Sequence, residues 1–221
     1  MKIAISLGGS LVFRDRPNMK VLSRVGKLLN SLNGQFAIAV GGGTIAKTYI
    51  EAARQFTKNN FDLDEIGIAV TKTNARLVSL AVKGQYADNL DQAIEFLEEG
   101  AKIVVMGGTE PGQTTDAVAC LLAEEMDADR LVNLSDVAGI YDRNPESRGA
   151  RLIKAMSHKE LVKMTERNDK RRPRENFIFD LIGANILNRS KIEAHFVSGY
   201  SEKVTKKAIL GLSHGGTVIK G

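Results

Sequence analysis

The chain has 221 residues, 43% of them hydrophobic, and its 31 Lys and Arg against 26 Asp and Glu give a net charge of +5. That length suits one large domain with a substantial core, and no apolar run reaches the roughly eighteen residues of a membrane span, so a soluble protein is expected. The single Cys120 excludes an internal disulfide, and a start too short and glycine-bounded for a signal peptide points to the cytoplasm.

In chain order, Ile3 to Leu7 predicts a first strand that Gly8-Gly9-Ser10 closes, followed by helical spacing over 19–32. Phe36 to Val40 predicts a second strand, closed by Gly41-Gly42-Gly43-Thr44, and helices follow over 44–57, 65–82 and 91–98. Ile103 to Met106 is a third strand, and its Gly107-Gly108-Thr109-Glu110-Pro111-Gly112-Gln113-Thr114-Thr115-Asp116 loop leads into a helix over 116–127. Strands at 131–134, 194–198 and 217–219 alternate with helices over 176–188 and 202–210, and the linker-like interval Asp142 to Met156 is expected to separate two lobes. Short Ile/Val-rich runs alternating with helical stretches predict an α/β fold, with a central, mostly parallel sheet and helices on both faces.

Three glycine-rich turns, each at the C-terminal end of a candidate strand, would meet along one edge of such a sheet, where ligands of open α/β folds bind. A strand ending in glycines, then hydroxyls, then a helix start presents free backbone N–H groups to an anion, so the Gly107–Asp116 loop reads as a phosphate cradle. Gly41-Gly42-Gly43-Thr44-Ile45-Ala46 also satisfies the dinucleotide fingerprint, with Asp62 and Asp64 about twenty residues on, so a dinucleotide-binding oxidoreductase is a rival reading. The same segment misses a P-loop because Ala46 stands where that loop needs glycine before Lys47-Thr48.

Covalent catalysis has no support. His158, His195 and His214 are far apart and lack metal spacing, Cys120 sits among Ala119, Leu121 and Leu122 as a small core residue, and no metal-ligand set is visible. Phosphate-binding backbone with scattered Lys, Arg, Asp and hydroxyls is the inventory of phosphoryl transfer, which proceeds by positioning and charge neutralisation. The basic run Lys170-Arg171-Arg172-Pro173-Arg174 reads as a solvated loop, a flap over phosphates or an RNA-facing patch. It has no interleaved aromatics, so nucleic acid is not the expected partner.

Taken together, Ile5 to Ser10, Val40 to Gly43 with Lys47, Thr71 to Ala75, Gly107 to Ala117 and Asp136 to Pro145 resemble the amino acid kinase superfamily, and within it the archaeal type of uridylate (UMP) kinase. The resemblance runs from residue 2 to about 218 and implies a three-layer sandwich that phosphorylates UMP to UDP with ATP and Mg2+, assembled as a homohexamer. One amino acid kinase domain is implied, with an acceptor lobe to about residue 130 and an ATP lobe over 131–221.

By position, the resemblance places Gly9, Ser10, Gly43 and Lys47 at the ATP phosphates, with Ser135, Tyr141 and Asn144 holding ATP. It places Gly42, Asp64, Thr109, Glu110, Pro111, Gly112, Gln113, Thr114 and Thr115 around UMP. For Asp64 a simple N-cap of a helix starting near Glu65 is the competing reading, and for Asp116 the choice is between helix cap and organiser of the basic groups. The chain departs from the pattern at Ser6 and Asn185, where relatives carry lysines, and at Lys47, where they carry arginine. Lys47 is therefore the first candidate for the catalytic cation, with Lys2 or Lys72 behind it.

Overall fold

The computed structural model describes residues 1–169 and 179–221. Among them, β1 (Lys2–Leu7), α1 (Gly9–Val12), α2 (Met19–Ser31), β2 (Gln35–Val40), α3 (Gly43–Ala53), α4 (Asn60–Val82), β3 (Gln85–Ala87) and α5 (Leu90–Glu98) build the first half. They are followed by β4 (Ile103–Met106), α6 (Thr115–Glu125), β5 (Arg130–Ser135), β6 (Ala155–Met156), α7 (His158–Asp169), α8 (Leu181–Ser190), β7 (Ala194–Ser198), α9 (Glu202–Ile209) and β8 (Thr217–Ile219).

The strands form one sheet in the order β3-β4-β2-β1-β5-β7-β8-β6, parallel throughout except that β7 and β8 run antiparallel and carry β6 with them. Alternation along the strands divides the core. Ile3, Ile5, Leu7, Phe36, Ile38, Val40, Val132 and Leu134 pack on α2, α4 and α9. Ala4, Ala37, Ala39, Met106 and Leu131 pack on α5, α6 and α8. Alanines on that second face let α6 lie close over β1 and β2. Helices on both faces make the expected three-layer sandwich, and strands buried on both sides explain the near-continuous apolar runs of the sequence.

Four expectations are corrected. The short strands β3 and β6 and the helices α1 and α7 join those predicted. The helix expected over 65–82 begins at Asn60, capped by Asn59. The helix expected over 176–188 spans Leu181–Ser190, and residues 176–178 lie outside the described residues. The 142–156 interval is no linker: it folds back within the second half, where Tyr141 bridges Leu152 and Ala155–Met156 pairs with Val218–Ile219. The basic run 170–174 lies outside the described residues.

The chain leaves β1 for β2 on one side and later places β5 on the other, so the strand order reverses between β1 and β5. A crevice opens at the C-terminal ends of the strands at such a point.

Candidate active site

Because β1, β2 and β4 are parallel neighbours, the turns after Leu7, Val40 and Met106 share one rim, as expected. The first two touch. Gly41 N–H donates to Leu7 O at 2.9 Å, and Gly8 N–H donates to Leu134 O at 2.8 Å, tying the turn to β5. Gly43 adopts φ +68°, and a Cβ there would stand 2.5 Å from Phe13 O and 2.6 Å from Gly9 O, so only glycine lets the loops close on each other.

The third turn rests on α4. Thr71 Oγ1 accepts from Gly108 N–H at 2.7 Å, and Asp64 Oδ2 accepts from Gly112 N–H at 2.9 Å. Asn74 Nδ2 reaches the second turn from the same helix, donating to Gly41 O at 2.9 Å and Gly42 O at 3.1 Å. The glycine amides of the cradles are therefore not all free for an anion. Among the described residues, those of Gly9, Ser10, Gly42, Gly43, Thr115 and Asp116 donate to no protein acceptor. These converge from three loops, and the starts of α3 and α6 add partial positive charge.

Asp116 stands where the loops meet. Ser6 and Asn133 are register partners on β1 and β5, and both donate to its Oδ1, at 2.5 and 2.8 Å. Its Oδ2 has no donor among the described residues. Loss of water around the carboxyl and the neighbouring Asp180 push its pKa up to about 6, against the lowering effect of the two donors. Asp116 is not the cap of α6. Thr114 is, its Oγ1 accepting from Ala117 N–H at 3.1 Å while donating to Asp180 Oδ2 at 2.8 Å. Asp180 also caps α8 through Gly183 N–H at 2.9 Å, so one carboxylate joins the two helix starts.

Asp64 is likewise not a cap: it lies in the second turn of α4, and its contact is with the tip of the Thr109–Thr115 loop. Within that loop Thr109 Oγ1 donates to Gln113 Oε1 at 3.1 Å, and Gln113 N–H donates to Glu110 O at 3.1 Å. Thr109, Glu110 and Gln113 also line a cavity of about 240 Å³ with Asn89, Leu90 and Leu121. Pro111 is half-buried in the loop, and Thr115 opens α6.

Ser135 ends β5 beside Gly8, with its hydroxyl turned to Val137 O at 3.2 Å. Half-buried Tyr141 and exposed Asn144 follow, and Asn144 Oδ1 accepts from Glu146 N–H at 2.9 Å in a turn. Lys47 is exposed one turn into α3, and Lys72 lies on α4 against Gly107. Lys2 is corrected as a cation candidate. It begins β1, beside Gln35 and Asp129, at the rim opposite Leu7, ~16 Å away along the strand. Asn185 is exposed on α8.

The dinucleotide reading also fails on geometry. Its acids, Asp62 and Asp64, lie inside α4 rather than after a second strand, and two helices follow the Gly41–Ala46 turn before β3.

The amino acid kinase family matches residues 1–198. This chain belongs to the amino acid kinase family. Within the family it is 36% identical to the uridylate kinase of Methanobrevibacter smithii and 38% identical to that of Methanococcus aeolicus, in each case over 99% of both chains. The crystal structure of uridylate kinase from Archaeoglobus fulgidus, 34% identical, superposes with a TM-score of 0.85 over 99% of this chain and all of that one. An aspartate kinase from Synechocystis, 17% identical, shares the fold (TM-score 0.76) over 40% of its own length. The resemblance carried by the glycine motifs therefore holds for family and fold.

The sequence reading missed Asn133 and Asp180, and it quoted Thr71 and Asn74 within the Thr71 to Ala75 motif without giving either a role. Thr71 and Asn74 lie three apart on one helical face, a spacing visible in the sequence, but nothing local says which loops they meet.

Proposed function

We propose that this chain is a UMP kinase, transferring the γ-phosphoryl group of ATP to UMP to yield UDP and ADP. The observation that carries it is the meeting of free amides from three strand-end loops around Asp116. Full-length similarity to uridylate kinases supports the choice of acceptor over other members of the family. An oxygen of the UMP phosphate attacks the γ-phosphorus as the bond to the β,γ-bridging oxygen breaks, and the protein positions the two phosphates and neutralises their charge.

In this reading Gly9, Ser10, Gly43 and Lys47 hold the ATP phosphates, while Ser135, Tyr141 and Asn144 hold the rest of ATP. Gly42, Asp64 and Thr109 to Thr115, including Glu110, Pro111, Gly112, Gln113 and Thr114, surround UMP. The half of the chain before about residue 130 then carries the acceptor, and the half from 131 much of the ATP site. Lys47 is the cation at the transferred group, with Lys72 second. Mg2+ arrives with ATP and lowers the charge of its phosphates. Among the described residues no three His, Cys, Asp or Glu side chains stand close enough to hold a metal by themselves, and Asp116, through Oδ2, is the group suited to meet it. A homohexamer working in the cytoplasm in pyrimidine nucleotide synthesis completes the reading.

The test is a coupled ADP-release assay over UMP, CMP, dUMP, aspartate, acetylglutamate and isopentenyl phosphate. Turnover with UMP is expected, and turnover with none of these sinks the kinase reading.

A further inference from the structure

One buried face of α4 holds two of the three glycine turns. Thr71 and Asn74 are 8% and 5% exposed and lie one helical turn apart. Thr71 Oγ1 donates to Ile68 O at 2.7 Å while accepting from Gly108 N–H, so its one proton is committed and its direction fixed. Both protons available on the Asn74 amide nitrogen go to the carbonyls of Gly41 and Gly42. Backbone contact completes the fit. A Cβ on Gly107 would stand 2.6 Å from Lys72 N and 2.8 Å from Lys72 Cα, and one on Gly42 would stand 3.5 Å from Thr71 Cγ2. Turning the Gly41 and Gly42 carbonyls toward Asn74 leaves the next amides, Gly42 and Gly43, facing the rim.

We infer that Thr71 and Asn74 are positioning residues that set the spacing between the Gly41–Gly43 turn and the Gly107–Thr115 loop, and so the alignment of the two reacting phosphates. The inference rests on the phosphoryl-transfer reading for its kinetic consequence, but the clamp itself is independent of which acceptor reacts. A helix is a stiff spacer, and misplacing a reacting group by about an ångström costs roughly 100-fold in rate.

The experiment compares Thr71→Val, which keeps the shape and removes the hydroxyl, with Thr71→Ser, which keeps the hydroxyl, and adds Asn74→Ala. Hydrogen–deuterium exchange of the folded full chain is read at the two turns. Faster exchange at peptides spanning Gly107 to Gly112 is expected in Thr71→Val and not in Thr71→Ser, with β5 and β7 unchanged in both. Asn74→Ala is expected to speed exchange at Gly41 to Gly43. In the ADP-release assay, with whichever acceptor the wild type uses, Thr71→Val and Asn74→Ala are expected to lower kcat about tenfold or more, and Thr71→Ser to stay within about threefold of wild type. Unchanged exchange at both turns overturns the clamp. Faster exchange with unchanged kcat overturns its role in alignment, as does a Thr71→Ser defect equal to that of Thr71→Val. Failure of the wild type to turn over UMP while it uses another acceptor counts against the substrate, not against the clamp.

Discussion

Ser6 donates its hydroxyl to Asp116 at 2.5 Å across the β1–α6 contact, at the position where the glycine-motif relatives were expected to carry lysine. The carboxylate at the centre of the site is therefore held by neutral donors, Ser6 and Asn133, with the acidic Asp180 beside it. A carboxylate so placed stays ionised at neutral pH by a small margin. Neither of its two donors carries a charge.

Activity is expected to fall in acid with an apparent pKa of about 6 in the free enzyme, as Asp116 gains a proton. Ser6→Ala removes a donor to the charged form, so the acid limb of kcat/KM should move to higher pH. Stability runs the other way. Because the folded pKa is raised, the contribution of this group is full below the unfolded value near 3.8 and is lost as pH rises through about 6. Asp116→Asn should therefore melt higher than wild type above pH ~6 while losing kcat by about 100-fold. An acid limb that ignores Ser6→Ala would assign the titration to another group.

Asp64→Ala should raise the KM for UMP by about tenfold, since it frees the Gly112 amide and loosens the tip of the Thr109–Thr115 loop, and should leave the KM for ATP within about twofold. Equal changes in both constants would separate Asp64 from the acceptor side.

Removing the charge with Lys47→Gln should lower kcat by about 100-fold with the melting curve unchanged, because Lys47 is exposed and leaves no buried partner behind. Lys47→Arg should retain most of the activity. A silent Lys47→Gln would pass the role to Lys72.

His195 and His214 form a second proton-linked unit, far in character from the glycine rim. Gly216 N–H donates to His214 Nδ1 at 3.1 Å, which puts the ring proton on Nε2, where it meets His195 Nδ1 at 2.7 Å; His195 Nε2 then faces Glu193 at 2.7 Å. Every ring nitrogen is used with both rings neutral. Burial lowers both pKa values, with Arg130 and Lys220 also disfavouring charge on His195 and Lys154 and Lys207 on His214, against Glu193. Their contribution is full above the unfolded pKa of about 6.5 and is lost as pH falls through the lower folded values. His214→Ala should lose stability less steeply than wild type between pH 7 and 5 in thermal melts. Parallel curves would show that the pair carries no linkage.

Much of this was legible because the long strands are buried on both faces and end in glycine, so apolar run and turn appear together in the sequence. The sites that escaped share a cause. β3 (Gln85-Tyr86-Ala87) and β6 (Ala155-Met156) are short and lack the Val and Ile that mark the likewise short β8 as a strand. α1 is four residues inside a glycine turn, and α7 carries few apolar positions among charged ones. Asn133 reads as one polar residue in an apolar strand until the parallel register sets it beside Ser6. His195 and His214 are nineteen residues apart and meet only because β8 returns antiparallel to β7, a reversal that alternating strands and helices do not foretell. The glycine turns show in the sequence because their backbone demands are local, as the positive φ of Gly43 illustrates.

The lone thiol of the chain faces the core from α6, with no exposed surface and its pKa pushed up by burial and by the nearby Asp116. It should therefore ignore maleimides in the native protein. A cysteine introduced at exposed Gln85 or Glu125 would be the sole target for a fluorophore, giving distance reporters on this molecule without first deleting a natural site.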